Sequence, residues 1–410
     1  MRKENLEKII ALRHELHMCP ELSMDERNTA RLIKEFLSRN TSFRIIDRGN
    51  WFYAVKEGKN SGNSGNNGIN GNRGNSRKRI AFRADMDALP IPEDDTLSYY
   101  SRNPGVSHKC GHDGHCAALC GLALEVERME AEGAEIGADI CLLFQPGEET
   151  GSGAFLCREL IVEENISQIY AFHSLGGYPE GSVIYRAGLT QPASEGLKIC
   201  FHGRTSHASY PEEGRNPAET VARVVLQARE FLQRKEFLQE KESPQTKDSY
   251  EDQPGGMALC TITGIRLGAG DFGISPGEAD LCMTLRAEQE SRMKQLEEQI
   301  LKCAEEEGAK AGIQTSFSIH DYFPETRNDG QCLENVVRTA SGLGLKLVPM
   351  EQLWRASEDF GWYLKDCPGA IFYIGSGEDY PPLHTSAFDF NDRILGTAVD
   401  MFAAIVMNCI

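Results

Sequence analysis

Between His108 and Cys120 the chain reads HKCGHDGHCAALC, three histidines and three cysteines within thirteen residues. Thiolate and imidazole groups at this density suit a borderline-soft divalent ion. A closed structural zinc site needs four ligands, usually as two close pairs separated by a loop, and the sequence holds no second pair. Further ligands must come from distant single residues. Four stretches can supply them, each at the end of an apolar run: IAFRADMD with Arg83, Asp85 and Asp87, CLLFQPGEET with Glu148 and Glu149, IYAFHS with His173, and PPLHTSAFDF with His384. In open α/β sheets functional groups collect where strands end and loops begin. Taken singly, His173 and His384 read as hydrogen-bonded structural histidines, and the two glutamates as solvated loop charges. Pro146 and Gly147, however, set the glutamates in a turn directly after an apolar strand, where a carboxylate pair has a purpose only if positive charge awaits it. Cys116 and Cys120, one helical turn apart, read as core residues, Asp113 as a helix N-cap and His115 as a residue that orients a ligand.

The elements that must position these groups are legible as periodicities. Ser23 and Glu26 have the spacing of a capping box, and Ala30, Ile33, Phe36 and Leu37 follow at helical spacing. Short apolar runs over 43–46, 51–55 and 80–82 predict strands. Between the last two lies KNSGNSGNNGINGNRGNSRK, a Gly/Asn/Ser tract expected to be a disordered insertion in a surface hairpin. A helix over 116–129 and strands over 140–144 and 169–172 complete an α/β alternation. The pattern then changes to strand 196–202, helix 216–239, strands 257–265 and 279–286, helix 289–306 and strand 315–320. This β-α-β-β-α-β order is that of a ferredoxin-like unit, interrupted by the polar tract QEKESPQTKDSYEDQPGG. After Pro324 the α/β pattern resumes, with a strand over 370–374 and a final helix over 394–406. The expected architecture is thus a mixed-sheet α/β catalytic domain with helices on both faces, built from 1–187 and 323–410. Into it is inserted a ferredoxin-like α+β domain over 188–322.

Composition limits what such a protein does. A chain of 410 residues with 40% hydrophobic content suits two or three domains, each with its own core. A net charge of −18 without a long basic run makes nucleic acid and anionic membrane poor partners. The charged start MRKENLEKII lacks the apolar region of a signal peptide, and the 13 cysteines are scattered without a C-x-x-C pair, so a cytoplasmic protein with reduced thiols is expected.

HKCGHDGHCA, FRADMDALP, FQPGEETGSGA, GRTSHAS, ASEDFGWYL and LHTSAFDF, in that order, resemble the amidohydrolase branch of the aminoacylase, carboxypeptidase G and hippurate hydrolase metallopeptidase family. LRHELHMCPELSMDE resembles its N-terminal signature. The resemblance runs from about Leu12 to the last helix, and the family's layout is an inserted lid and dimerisation domain. It implies two divalent ions (zinc, manganese, cobalt or nickel) that share a bridging group and a bridging water. Cys110, His112, Glu149, His173 and His384 are the implied ligands and Glu148 the implied general base. Asp85 falls on a position that supports the metal site, since Arg83 stands where other branches carry a ligand histidine. His207, in GRTSHAS of the inserted domain, falls on a residue that polarises the scissile carbonyl, typically across a dimer. The implied reaction is hydrolysis of the amide bond of an N-acyl amino acid or a similar peptide-like small molecule, by a homodimer or higher homo-oligomer. A dipeptidase or aminopeptidase of the same family is the alternative. Two stretches depart from the pattern and bear on substrate detail: YAFHSLGGYPEGSV has a double glycine, and GISPGEADLCMTLRAE is a loose version of the lid's substrate segment.

Other enzyme classes fit less well. Gly273-Ile274-Ser275-Pro276-Gly277 formally matches a serine hydrolase elbow, but the oxyanion hole needs the N–H of the residue after serine, and Pro276 has none. No phosphate-binding glycine loop is present. A binding protein that kept the metal site and lost turnover would have no use for both Glu148 and His207.

Overall fold

The computed structural model describes residues 1–58, 79–94, 96–233 and 256–408. The Gly/Asn/Ser tract and most of the second polar tract lie outside the described residues, as does the expected end of the helix beyond 233. The described residues group into two compact units. One comprises Met1–Gly188, Arg327–Leu353 and Asp359–Ile410, the other Leu189–Thr326 and Trp354–Glu358.

The first unit is built on an eight-stranded mixed sheet. Its spatial order is Arg44–Asp47, Phe52–Lys56, Asp139–Gln145, Arg79–Asp85, Ile166–Gly176, Gly369–Gly377, Val183–Tyr185, Leu347–Pro349. Side chains alternate across a strand, so a sheet covered on both faces needs continuous apolar runs. Phe52, Ile80, Phe82, Leu142, Phe144, Tyr170 and Phe172 face one core, with helices Lys3–Met18, His112–Ala131 and Leu395–Asn408. Tyr53, Ala81, Cys141, Leu143, Ile169 and Ala171 face the other, with Ala154, Leu160 and Tyr363. Cys116 and Cys120 are fully buried in the first core, as their spacing predicts.

Three local expectations are corrected. Phe52–Lys56 pairs antiparallel with Asp139–Gln145 rather than with Arg79–Asp85, so the Gly/Asn/Ser tract does not close a hairpin but joins strands on either side of a third. That third strand comes later in the chain, and no local signal announces its place between the two. Ser23 and Glu26 do not form a capping box: Glu26 stands at the N-cap of helix Arg27–Asn40 without a side-chain cap bond, and Glu21 instead accepts the N–H groups of Asn28 at 2.8 Å and Thr29 at 2.9 Å. The N-cap of helix His112–Ala131 is Gly111, not Asp113, which lies inside the first turn.

The second unit carries a four-stranded antiparallel sheet in the order Ala258–Leu267, Glu278–Ala287, Ala193–His202, Gln314–Phe323. Alternate residues such as Leu197, Ile199, Phe201, Leu281 and Met283 pack with Val224, Leu296 and Ile300 of helices Ala218–Phe231 and Glu290–Ala311. Trp354–Glu358 joins this unit through the Trp354 N–H to the Thr190 carbonyl at 3.1 Å and Arg286 Nη1 to Ser357 Oγ at 2.7 Å. Among the described residues no helix is long and apolar enough to cross a membrane.

Candidate metal centre and active site

Parallel pairing brings the chemistry to one edge of the first unit. Arg79–Asp85 runs parallel to both Asp139–Gln145 and Ile166–Gly176, and the last is parallel to Gly369–Gly377. Their C-terminal ends therefore share an edge, and Asp85, Asp87, Glu148, Glu149, His173 and the loop to His384 all emerge there. Helix His112–Ala131 starts at the same place. Gly111 makes that start possible: its φ of 93° is left-handed, and a Cβ there would come within 3.1 Å of Phe390 and of Ser174 Oγ. The turn lets Cys110 and His112 converge.

Among the overlapping triads whose ligand atoms lie within 4.8 Å of one another, three gather the expected ligands and Glu148: Cys110–His112–His173, Cys110–Glu149–His384 and His112–Glu148–Glu149. Cys110 belongs to the first two. Its Sγ lies 3.4 Å from His173 Nε2, and Glu149 Oε1 lies 3.5 Å from His384 Nε2 and 3.8 Å from His112 Nε2. These spacings are too long for direct bonds between most of the pairs and leave donor atoms facing a common centre. Two of them, His112 Nε2 and Glu149 Oε1, are buried without a hydrogen-bond partner.

Charge points the same way. Asp85, Asp87 and Glu148 are buried here and Glu149 nearly so. Burial alone would lower the His112 pKa, yet the carboxylates of Asp85, Asp87 and Glu149 raise it to about 10. Burial and then the charges of Glu149, Glu148 and Asp85 push the Cys110 thiol well above its ordinary range. A buried excess of negative charge is costly unless a cation compensates it. Thiolate, imidazole and carboxylate donors around such a deficit fit a divalent ion of zinc type.

Neighbours of the donors set their directions. His112 Nδ1 lies 2.8 Å from the Asp87 carbonyl oxygen and 3.1 Å from Asp87 Oδ1, both acceptors, so Nε2 points to the centre. His173 Nδ1 donates to the Ser174 carbonyl at 2.7 Å, which turns Nε2 toward Cys110. Asp85 accepts from His115 Nδ1 at 2.7 Å and Arg83 Nη1 at 2.8 Å. Burial would raise its pKa, but His112, Arg83 and His115 hold it well below the usual carboxylate range. His115 also accepts the Ser174 N–H at 3.2 Å, so it braces Asp85 and the His173 strand. His384 occupies a left-handed backbone with φ 61°, fixed by its N–H to the Lys109 carbonyl at 2.8 Å. A non-glycine residue in this region marks local strain held by its surroundings.

Two residues were undervalued by sequence reasoning. Asp87, seen only as one of three polar residues in RADMD, both orients His112 and accepts the Glu149 N–H at 3.0 Å through Oδ2. Asp359, in ASEDFGWYL, is fully buried and accepts from Arg83 Nη2, Gln145 Nε2 and the Ala154 N–H, all within 2.9 Å. An alternating pair of aspartates past a strand end was the available signal for the first, and nothing local marked the second. His207 lies on the second unit, exposed, in the short strand Ser206–His207 opposite Ile274 and Ser275. Its Nδ1 accepts the Ser209 N–H at 3.1 Å, so a neutral ring carries its hydrogen on Nε2. Ser275 is no nucleophile: it is buried and its Oγ accepts from Asn216 Nδ2 at 3.2 Å.

Comparison with known proteins assigns the chain to a family. The family model described as peptidase family M20/M25/M40 matches residues 81–408. The chain is similar to N-acetylcysteine deacetylase of Bacillus subtilis, 27% identical over 98% of this chain and 96% of that one. It is also similar to thermostable carboxypeptidase 1 of Saccharolobus solfataricus, 28% identical over 94% and 91%. A Bacillus subtilis structure described as a dinuclear metal binding peptidase of the M20 family superposes with a TM-score of 0.77 at 24% identity, covering 100% of this chain and 99% of that one, and so shares the fold. With a match that begins in the strand carrying Asp85 and ends in the last helix, the chain belongs to peptidase family M20/M25/M40, and is a metal-dependent amidohydrolase.

Proposed function

We propose that the protein hydrolyses the amide bond of N-acyl amino acids with two divalent metal ions. The observation that carries this reading is the sharing of Cys110 between two donor triads, with Glu148 beside both. Cys110, His112 and His173 would hold one ion and Cys110, Glu149 and His384 the other. Cysteine softness favours zinc, cobalt or nickel over magnesium, with manganese within range. When bound, the ions supply Lewis acidity, which polarises a carbonyl oxygen and acidifies water between them. Glu148, only 6% exposed, takes the proton of the attacking water and delivers it to the departing amine. Asp85 keeps its negative charge against Arg83 and supports the His112 side of the centre. His207 offers an Nε2–H donor to the scissile carbonyl oxygen.

The inserted ferredoxin-like domain, 188–322, serves in this reading as lid and dimerisation domain. In support, Ala258–Leu267 is an edge strand, and Leu226, Ile265 and Leu267 line an apolar groove of about 390 Å³ beside it. A homodimer through this face accompanies the proposal. A cytoplasmic location fits the described cysteines, which are free thiols.

A panel of N-acyl amino acids and dipeptides, assayed with zinc, manganese and cobalt, tests the reading. N-acyl amino acids are expected to turn over fastest. Cleavage of dipeptides alone would make the enzyme a peptidase instead.

A further inference from the structure

Ser23 and Glu26 have the spacing of a helix cap but are spent elsewhere. Glu21 takes the exposed N–H groups of the following helix, which leaves both side chains free to reach the catalytic edge. Glu26 Oε1 accepts the N–H of Gly147 at 2.7 Å and of Met24 at 2.8 Å. Ser23 Oγ donates to Asp87 Oδ2 at 2.7 Å, the same oxygen that accepts the Glu149 N–H at 3.0 Å. Glu148 thus stands between two peptide N–H groups, one held by Glu26 directly and the other by Asp87, which Ser23 steadies.

The loop is shaped to make this grip. Met24 holds a left-handed φ of 71°, and Gly147 one of 56°. A Cβ on Gly147 would sit 2.6 Å from Met24 Sδ, so glycine lets the loop close on the turn without displacing the Met24 side chain. Stability alone does not account for Glu26. Its carboxyl is 2% exposed, and Oε2 is buried without a hydrogen-bond partner. Burial and the charge of Asp87 push its pKa up to about 7. A carboxyl buried beside another carboxylate weakens a fold, and an amide or an apolar side chain would serve packing better.

We infer that Ser23 and Glu26 are positioning residues that aim the Glu148 carboxylate by clamping the Gly147–Glu149 turn. This rests on Glu148 as general base. Proton transfer needs hydrogen-bond reach, and a shift of about 1 Å in a reacting group costs up to about 100-fold in rate.

The test is a double-mutant cycle on the full-length, metal-loaded enzyme, with kcat, KM, metal stoichiometry and melting temperature measured for each variant. Glu26→Leu is expected to lower kcat about 10- to 100-fold with metal and KM nearly constant, and Glu26→Gln, which keeps the acceptor oxygen, to recover kcat to within about threefold of wild type. Ser23→Ala is expected to lower kcat about 3- to 10-fold, and it carries the test if Glu26→Leu folds poorly. In a Glu148→Gln background neither change is expected to reduce the residual kcat further. Equal losses in both backgrounds, losses that follow metal content or melting temperature, or wild-type kcat in Ser23→Ala and Glu26→Leu would overturn the inference. Full activity in Glu148→Gln alone would instead overturn the general-base reading on which it rests.

Discussion

Asp87 meets His112 with two acceptors at once: its carbonyl oxygen lies 2.8 Å and its Oδ1 3.1 Å from His112 Nδ1. The imidazole is fixed in one orientation and tautomer, with Nε2 presented to the shared donor cluster. Truncation in Asp87→Ala removes the side-chain acceptor and also releases the Glu149 N–H. Metal affinity is expected to fall about 10- to 100-fold, as for other partners of ligating histidines. Competition with a chelator, read by elemental analysis, measures it; wild-type affinity in Asp87→Ala would reduce this contact to a packing detail.

Glu148 and Glu149 are adjacent, yet the proposed function gives them different roles. Glu149 Oε1 is buried without a partner and faces His112 and His384, so Glu149→Gln is expected to lower both bound metal and activity. Glu148→Gln is expected to keep the metal and lose about 10²- to 10⁴-fold in kcat. Metal content measured beside kcat decides between the roles. Loss of metal from Glu148→Gln with retention in Glu149→Gln would exchange them.

His207→Ala is expected to cut kcat about 10²- to 10³-fold without changing metal content, the loss typical of one oxyanion donor. Because the residue is a member of none of the donor triads, its removal is expected to leave the ligand set intact. Unchanged turnover would remove it from the mechanism.

His17 links stability to pH. Burial alone would lower its pKa, but hydrogen bonds that its ring N–H groups donate to the Asp113 and Glu93 carboxylates raise it to about 9 from 6.5. The folded state therefore binds this proton more tightly than the unfolded chain. Its contribution, at most about 3 kcal/mol at 1.36 kcal/mol per unit, is fully present below pH 6.5 and is lost as pH rises through about 9. The melting temperature of wild type should fall toward that of His17→Gln between pH 6.5 and 9.5. A constant difference across that range would show that His17 does not titrate there.

Part of the centre was legible before any tertiary contact. Glu148, Glu149, His173 and His384 follow apolar runs and Cys110 and His112 lie in a dense His/Cys cluster, while the choice of Cys110, His112, Glu149, His173 and His384 as ligands was implied by the family resemblance. The helix and strand cores were legible too, since burial imposes periodicity residue by residue. Capping chemistry was not. Ser23, Glu26 and Asp113 carry side chains that cap helices in isolation, but each has a stronger partner brought from far along the chain: Asp87, Gly147 and His17.

By itself the sequence determined donor types, their order and the alternation of elements, all of which depend on neighbours a few residues apart. Tertiary structure alone decided that Cys110 serves two triads, that Asp87 rather than Asp85 turns His112, and that Asp139–Gln145 separates the strands flanking the Gly/Asn/Ser tract. Those outcomes depend on strand order and register, which are set by the joint burial of residues dozens to hundreds of positions apart. No local pattern encodes them.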